Sequence, residues 1–594
     1  MKHVRFWLPL ALTAIVYLGV NTGRGVIDYD EGYYAQPALR MAEVGDWITP
    51  YADGVRFLEK PPLLYWVTAA SFKALGVGES ALRLPTALAV VALAGVVTLT
   101  ARLVVAPFAA ALAGLSAAFS VGTFLFTRET LHDVWLVLFL AVAMYAFLKW
   151  RLTPSRPLGA ALLFYAALAG GVMCKSLVGL AFPLGVALLF FLWNRELPAW
   201  RTLHLLPGLL LFLLLAVPWH WLAAVHNEGF LDFFFVKEQF LRFLGRREPP
   251  VLWSVPVVNF WALVLVWFFP WIAFVPAAFA GARQADGESG GSTRLLRRLA
   301  VAWLAVVLGF FTFSARLEHY AFPALPAFAL LVALAFDRVA KARDGGGGAC
   351  HPAEGRSGKA LAWGYRALAA AGVLALVFGV AAAVWLSSGD ALPANSAGPA
   401  DRLAENDFSI MAEMPPEVVR GLLAPAAATV AALAAGFPLA LFFFSGWRDG
   451  KGRWRGKAAA LTVVAVMALV CAMAHWSLVV CEDLISSKGF GLALAAQARP
   501  GDRLVVVGDY ESANSLNFYQ PLRVEVVEGT AYALLPGLRY PDAPPVLMAS
   551  DEFKKLWASA SRVFVLLPEA RRKELTPDGV TITRRLHRVL VKNR

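Results

Sequence analysis

The chain has 594 residues, of which 59% are hydrophobic and only 16% charged, and a formal net charge of +13. Ordinary soluble domains are about 45–50% apolar and about 25% charged, so this balance excludes a large soluble enzyme and points to a polytopic membrane protein. The lysines and arginines fall mainly in short loops between apolar runs, which fits the positive-inside rule and not nucleic-acid binding.

The chain opens Met1-Lys2-His3-Val4-Arg5 and continues apolar with no small-residue cleavage site, which predicts an uncleaved first span and a cytoplasmic N-terminus. Apolar runs able to cross roughly 30 Å of hydrocarbon predict thirteen spans. They lie near 6–21, 84–105, 108–127, 133–149, 158–174, 177–193, 204–223, 256–279, 299–313, 319–336, 366–387, 421–445 and 458–480. Basic clusters such as Lys149/Arg151/Arg156, Arg283/Arg294/Arg297/Arg298 and Arg448/Lys451/Arg453/Arg455/Lys457 alternate with the spans as cytoplasmic loops should. The long loops 22–83, 224–255 and 388–420 and the tail then fall on the periplasm-like side. A Gly-rich stretch at 344–359 reads as a flexible cytoplasmic linker. The four cysteines, Cys174, Cys350, Cys471 and Cys481, form no CxxC pair, so neither a disulfide framework nor a zinc knuckle is indicated.

The first outer loop reads as helical. Tyr34, Ala35, Ala38, Leu39 and Ala42 share one face while Gln36, Arg40 and Glu43 share the other, and Gly45 is placed to end the helix. Such an amphipathic helix would lie in the membrane interface. A second helix, short for a span, runs from Pro61-Pro62 to Gly76. The tail changes character. Strands are predicted at 503–508, 523–528, 562–567 and 587–592, with helical segments near 488–498, 511–519 and 551–559 between them. That alternation predicts a small α/β domain with a mainly parallel sheet. Two domains follow: a membrane domain over 1–480, with its interfacial loop 22–83, and a periplasmic α/β domain over 481–594.

Charged side chains at a bilayer surface are expensive to desolvate and so mark function. Asp28-Tyr29-Asp30-Glu31 comes just after the first span, and Asp30 or Glu31 could take a proton from an acceptor hydroxyl or amine as general base. A solvated carboxylate favoured by a helix dipole is the plain alternative. In Glu59-Lys60-Pro61-Pro62, the lysine beside a Pro-initiated helix could hold phosphate, or it could simply snorkel towards headgroups. The loop 224–255 is crowded with phenylalanines, an interfacial belt, but Arg242 among them suits a lipid phosphate. The junction Ser314-Ala315-Arg316-Leu317-Glu318-His319-Tyr320, followed by Pro323 and Pro326, reads as backbone lining a cavity. There Tyr320 could donate to phosphate or sugar. Asp133, which opens the fourth predicted span, is either a second carboxylate of the site or a helix cap.

Asp30-Glu31, Gly45-Asp46-Trp47, Glu59-Lys60-Pro61-Pro62-Leu63-Leu64-Tyr65-Trp66 and Arg83-Leu84-Pro85 resemble the bacterial aminoarabinose lipid A transferases. These are relatives of the protein O-mannosyltransferases in the GT-C class. Glu238 to Phe243 and Tyr320 to Pro323 resemble later motifs in the same order. The resemblance covers about residues 1–340, with the remainder similar only in layout.

It implies a thirteen-span GT-C fold with periplasmic interfacial helices, a periplasmic C-terminal domain and a place in the bacterial inner membrane. It also implies transfer of a sugar from a polyprenyl-phosphate carrier, with inversion, to a lipid A-like lipid, a glycan or a protein. Asp30 matches the family's catalytic carboxylate and Asp133 a second acidic position, with Glu31 beside the first. Lys60, Arg242 and Tyr320 match positions that hold the carrier phosphate, and Tyr33, Glu59 and Arg316 join them in the substrate-binding set. Fixed cations beside a departing phosphate stabilise the charge that develops there, and no nucleotide is needed.

Gln239 stands where aminoarabinose transferases tend to have histidine. A metal held by Glu59 and that residue would lose an imidazole, and an amide is a poor zinc ligand. A lysine common in those enzymes is also missing from Leu317-Glu318-His319-Tyr320. The expected partners are the donor lipid, the acceptor and membrane lipids, for a chain acting as a monomer without nucleic acid. Two other readings compete: a multi-span transporter or flippase, and an assembly protein whose tail recruits envelope partners. Transporters usually carry polar groups at the midplane on broken helices, whereas these apolar runs read as unbroken.

Overall fold

The computed structural model describes residues 4–195, 202, 204–247, 254–280, 291–344, 355–387, 414–445 and 456–593. Most of the expected Gly-rich linker, most of the loop 388–420 and several of the basic loop residues lie outside them. The chain divides into two compact units. One holds Met1–Asn21, Pro85–Gly379 and Ala428–Met473, and the other holds Thr22–Leu84, Val380–Ala427 and Ala474–Arg594.

The protein is a multi-span membrane protein. Among the described residues, eight helices are long and apolar enough to cross a membrane, or up to nine if one bent pair is a single span. Shorter apolar helices at Pro9–Gly19, Pro107–Ala118, Leu158–Cys174 and Val178–Asn194 occupy four further predicted positions. Two spans expected to be unbroken are broken. The run at 256–279 forms Val257–Trp267 and Trp271–Ala278 with a 94° bend between them. The run at 108–127 splits into Pro107–Ala118 and Val121–Phe126.

The two breaks complete each other. Pro270 has no N–H to continue a helix. The carbonyl of Phe269 accepts from the Val121 N–H at 3.3 Å, and the Trp271 indole donates to the Phe119 carbonyl at 2.9 Å. Backbone groups freed in an apolar setting are thereby satisfied by a neighbour, as they must be.

In the second unit the tail forms a six-stranded sheet in the order β5-β4-β3-β6-β8-β7. The strands are β3 (Arg503–Val507), β4 (Val524–Val527), β5 (Leu547–Met548), β6 (Val563–Pro568), β7 (Val580–Arg585) and β8 (Arg588–Lys592). Pairing is parallel from β5 through β6 and antiparallel for β8 and β7, so the mainly parallel sheet is as expected. β5 and β7 are additional. A two-residue β5 and a solvent-facing β7 lack the continuous Val/Leu pattern that marks a buried parallel strand. A small hairpin of β1 (Tyr51–Ala52) and β2 (Val55–Arg56) turns at Asp53-Gly54, both with positive φ, a turn type that favours Asp-Gly.

The sheet alternates between two cores. Val505, Val507, Val527, Val563, Val565, Val589 and Val591 pack on Phe553 and Leu556. The other face, Leu504, Val506, Val524, Val526, Phe564, Leu566 and Leu590, packs with Tyr33, Ala35, Ala38 and Met41 of helix Asp30–Val44 and with Tyr65, Ala69 and Phe72 of helix Leu63–Leu75. Both loop helices therefore form where expected, and Gly45 (φ 83°) closes the first. The apolar stripe of the first is buried in a core shared with helix Leu63–Leu75 and the tail. The loop 22–84 groups with the tail and with residues 380–427.

Candidate active site

Tyr29 is the hinge of the acidic stretch. It precedes helix Asp30–Val44 with φ 69° and ψ −123°, a conformation that non-glycine residues adopt only under strain. Asp28, on its N-terminal side, is buried. Its Oδ1 accepts from the Ser515 N–H at 2.9 Å and its Oδ2 from the Ser487 hydroxyl at 2.9 Å. Burial pushes the Asp28 carboxyl up to about 6, against the pull of Arg588 and those hydrogen bonds. Asp30 is half-buried at the first position of the helix.

Glu31 is fully buried and committed. Oε2 accepts from Arg24 at 3.0 Å, from Arg83 at 2.9 Å and from the Ile27 N–H at 2.9 Å, while Oε1 accepts from Arg83 at 2.7 Å. Burial alone would raise this carboxyl, but the two guanidiniums and the hydrogen bonds outweigh it and hold it at about 2. A carboxylate so held is a poor proton acceptor, and Glu31 acts here as the anchor between the chain entering the helix and Arg83. Tyr33 is likewise committed. It is buried, stacks on Phe57, and donates its hydroxyl to Glu511 at 2.5 Å. Glu59 and Lys60 are half-buried and lie 3.6 Å apart. Helix Leu63–Leu75 starts three residues after Lys60.

The first unit assembles a chain of alternating charge. Helices His132–Leu152 and Leu158–Cys174 form a hairpin, so the start of one lies beside the end of the other. Asp133, in the first turn, therefore meets Lys175, which caps the second helix, and the two form an ion pair. His319 Nε2 lies 3.7 Å from the same carboxylate. Lys175 Nζ also sits 4.7 Å from the centre of the Tyr320 ring.

Arg242 Nη2 donates to the Tyr320 hydroxyl at 3.0 Å, and Arg242 Nη1 donates to Glu238 at 3.2 Å. Arg247 holds the other oxygen of Glu238. The wide turns of the π-helix Asp232–Leu241 carry Glu238 inward, where it is buried between the two arginines. Such helices recur at functional sites. Arg316 plays a different part. Its guanidinium donates to the carbonyls of Phe311, Ser314, Val255 and Thr312, so it ties the junction backbone together.

Asp30, Glu31, Tyr33, Glu59 and Lys60 thus belong to one unit and Asp133, Arg242, Arg316 and Tyr320 to the other. Lys175 and Arg247 are missing from the sequence reading. Among the described residues no three His, Cys, Asp or Glu side chains converge as a metal site would require. Gln239 offers only an amide, a poor zinc ligand.

Residues 5–234 match the model of the family described as dolichyl-phosphate-mannose-protein mannosyltransferase. The undecaprenyl phosphate-alpha-4-amino-4-deoxy-L-arabinose arabinosyl transferase of Edwardsiella ictaluri is 28% identical over 345 residues, 56% of this chain and 60% of that protein. A transferase of the same description from Pseudomonas fluorescens is 29% identical over 351 residues, 56% of this chain and 57% of that protein. The matches to these curated transferases thus span less than two thirds of their length. The crystal structure of ArnT from Cupriavidus metallidurans bound to undecaprenyl phosphate superposes with a TM-score of 0.79 at 23% identity, covering 99% of this chain and 97% of that one. The fold of spanning helices with a C-terminal sheet domain is that of ArnT.

Proposed function

We infer, for a chain that is a relative of the GT-C membrane glycosyltransferases, that it moves a sugar from a polyprenyl-phosphate carrier to a lipid A-like, glycan or protein acceptor, with inversion. The full reading is a thirteen-span protein of the bacterial inner membrane whose reacting groups and tail face the periplasm. The observation that carries it is the Asp133–Lys175–Tyr320–Arg242–Glu238–Arg247 chain. Lys175 and Arg242 flank one tyrosine, and each is held by its own carboxylate. Two cations and a hydroxyl held in this way suit a phosphate monoester that departs as a dianion, and they need no reorganisation as the charge develops.

Asp30 is assigned the general base that takes the acceptor's proton, and Lys60 a further phosphate contact. Lys175, Arg242 and Tyr320 are assigned the carrier phosphate. Glu31, Tyr33 and Arg316 support these groups without touching substrate.

The transporter reading gains one observation, the 94° bend between Val257–Trp267 and Trp271–Ala278. Transporter breaks place backbone dipoles or polar groups against an ion or substrate. Here the break is Phe268-Phe269-Pro270, and Phe268 is buried, so it offers a solute nothing to bind. The test is incubation of the purified protein with undecaprenyl phosphates carrying aminoarabinose or mannose, in the presence of lipid A. Release of free undecaprenyl phosphate with the sugar appearing on an acceptor or on water is expected. No release from either donor overturns the enzyme reading.

A further inference from the structure

The buried contacts between the tail and the acidic stretch are more specific than packing alone requires. Both peptide groups of the strained residue Tyr29 are held by the tail. Its N–H donates to the Glu511 carbonyl at 3.0 Å, and its carbonyl accepts from the Asn514 side chain at 2.8 Å. One residue earlier the Asp28 N–H donates to the Ile485 carbonyl at 2.8 Å, and both Asp28 oxygens are occupied by Ser515 and Ser487. Three residues later a side chain at Gly32 would put Cβ 2.1 Å from Asn514 Oδ1 and 2.9 Å from the Ser515 N–H. The glycine is what lets the helix approach that closely. One turn further, Gln36 Nε2 donates to the Asn514 carbonyl at 3.2 Å, and Tyr510 and Asn517 donate to Gln36 Oε1.

A non-glycine residue at φ 69° persists only where its surroundings over-determine it, and such strain clusters at functional sites. The strained peptide is the one immediately before Asp30. Any relaxation of Tyr29 to ordinary backbone angles would swing the first helical turn and the direction of the Asp30 carboxylate. Catalytic geometry tolerates little such movement: a misplacement of about 1 Å can lower a rate about a hundredfold.

We propose that the tail's sheet domain is the positioning element of the transfer reaction: Asn514, with Glu511 and Ser515, clamps Tyr29 in its strained conformation and thereby aims Asp30. These are positioning residues and contact no substrate. The inference rests on the assignment of Asp30 as the base, and it gives the tail a function that neither the spans nor the sheet's own packing supplies.

The test compares the full-length wild type, Asn514→Ala and the double variant Asn514→Ala/Tyr29→Gly in detergent. The donor is undecaprenyl phosphate-aminoarabinose, or the mannose donor if only that one reacts, with lipid A as acceptor. Amide exchange over residues 30–36 is followed in parallel. Asn514→Ala should lower kcat at least tenfold with KM for the donor within twofold of wild type, and should speed exchange over 30–36. Glycine adopts positive φ without strain, so adding Tyr29→Gly should recover at least threefold of the lost kcat. A purely structural role for Asn514 would not respond to relief of strain at another residue. An Asn514→Ala kcat within twofold of wild type, or a loss that Tyr29→Gly does not recover, overturns the clamp. If the wild type releases no undecaprenyl phosphate, the proposed function fails, and exchange alone decides the clamp: unchanged protection of 30–36 in Asn514→Ala then rejects it.

Discussion

Lys175 Nζ lies 4.7 Å from the centre of the Tyr320 ring while it forms an ion pair with Asp133. A strongly hydrated ammonium is drawn to an aromatic face chiefly where water is scarce, and the carboxylate offsets the desolvation. On the proposed assignment, Lys175→Met removes a preorganised cation from the phosphate site, and kcat should fall about a hundredfold or more. Asp133→Asn in that background should add little, because the carboxylate's work is to hold the lysine. Steady-state kinetics of the two single variants and the double variant measure this, and additive losses would separate the two residues.

Arg242 uses both arms of its fork. Nη1 reaches Glu238 and Nη2 reaches the Tyr320 hydroxyl. An ammonium has no fixed fork, so Arg242→Lys should weaken carrier binding nearly as much as Arg242→Ala, by about tenfold. Tyr320→Phe, which removes one hydrogen-bond partner and keeps the ring beside Lys175, should cost less, about 1 kcal/mol. Equilibrium binding of undecaprenyl phosphate to the three variants checks the order. Retention of wild-type affinity by Arg242→Lys would show that only the charge matters there.

Much of this was readable before any coordinates. The loop helices with their Gly45 stop and four strands of the tail follow from local periodicity and glycine placement, and the ArnT-like layout follows from the resemblance of the first-loop motifs. The broken spans were not readable, because Phe268-Phe269-Pro270 is as apolar as an intact span and the break is set by hydrogen bonds to residues 119 and 121. The grouping of loop 22–84 with the tail depends on contacts hundreds of residues apart, such as Asp28 with Ser515. Lys175 was within reach. Spans at 133–149 and 158–174 put residues 133 and 175 at the same membrane surface, so an acid opening one helix and a lysine ending the next were candidates for a pair. Arg247 carried no such signal, since it lies beyond the end of the π-helix Asp232–Leu241, at no helical spacing from Glu238.

Glu31 should be a stability determinant. Glu31→Ala leaves Arg24 and Arg83 buried without their shared carboxylate, and removal of one member of a buried ionic cluster costs about 3–5 kcal/mol. The pH dependence follows from its depressed pKa. A carboxyl near 4.5 in the unfolded chain and about 2 in the folded one contributes stability that is complete above about pH 4.5 and lost as pH falls towards 2. Thermal unfolding in detergent between pH 5 and 3 should show a steep loss for wild type. Glu31→Gln should start lower and show a shallower slope. Equal slopes would mean that other carboxylates govern acid unfolding.

Asp30 provides the decisive chemical test. It opens helix Asp30–Val44 half-buried, next to a neighbour already ionised and paired. Glu31 is thereby occupied, and the proposed function gives the acceptor's proton to Asp30. Asp30→Asn keeps the size of the side chain and one accepting oxygen while removing its basicity, so the protein should fold with a nearly unchanged melting temperature and bind the carrier normally. Loss of a general base lowers rates by about 10²- to 10⁴-fold, and the variant should fall in or below that range in kcat with KM for the donor nearly constant. Asp30→Glu should recover little, because the longer arm moves the oxygens by more than a reacting geometry tolerates. Full activity of Asp30→Asn with purified donor would remove this residue from the mechanism and transfer the search for a base to the Asp133 unit.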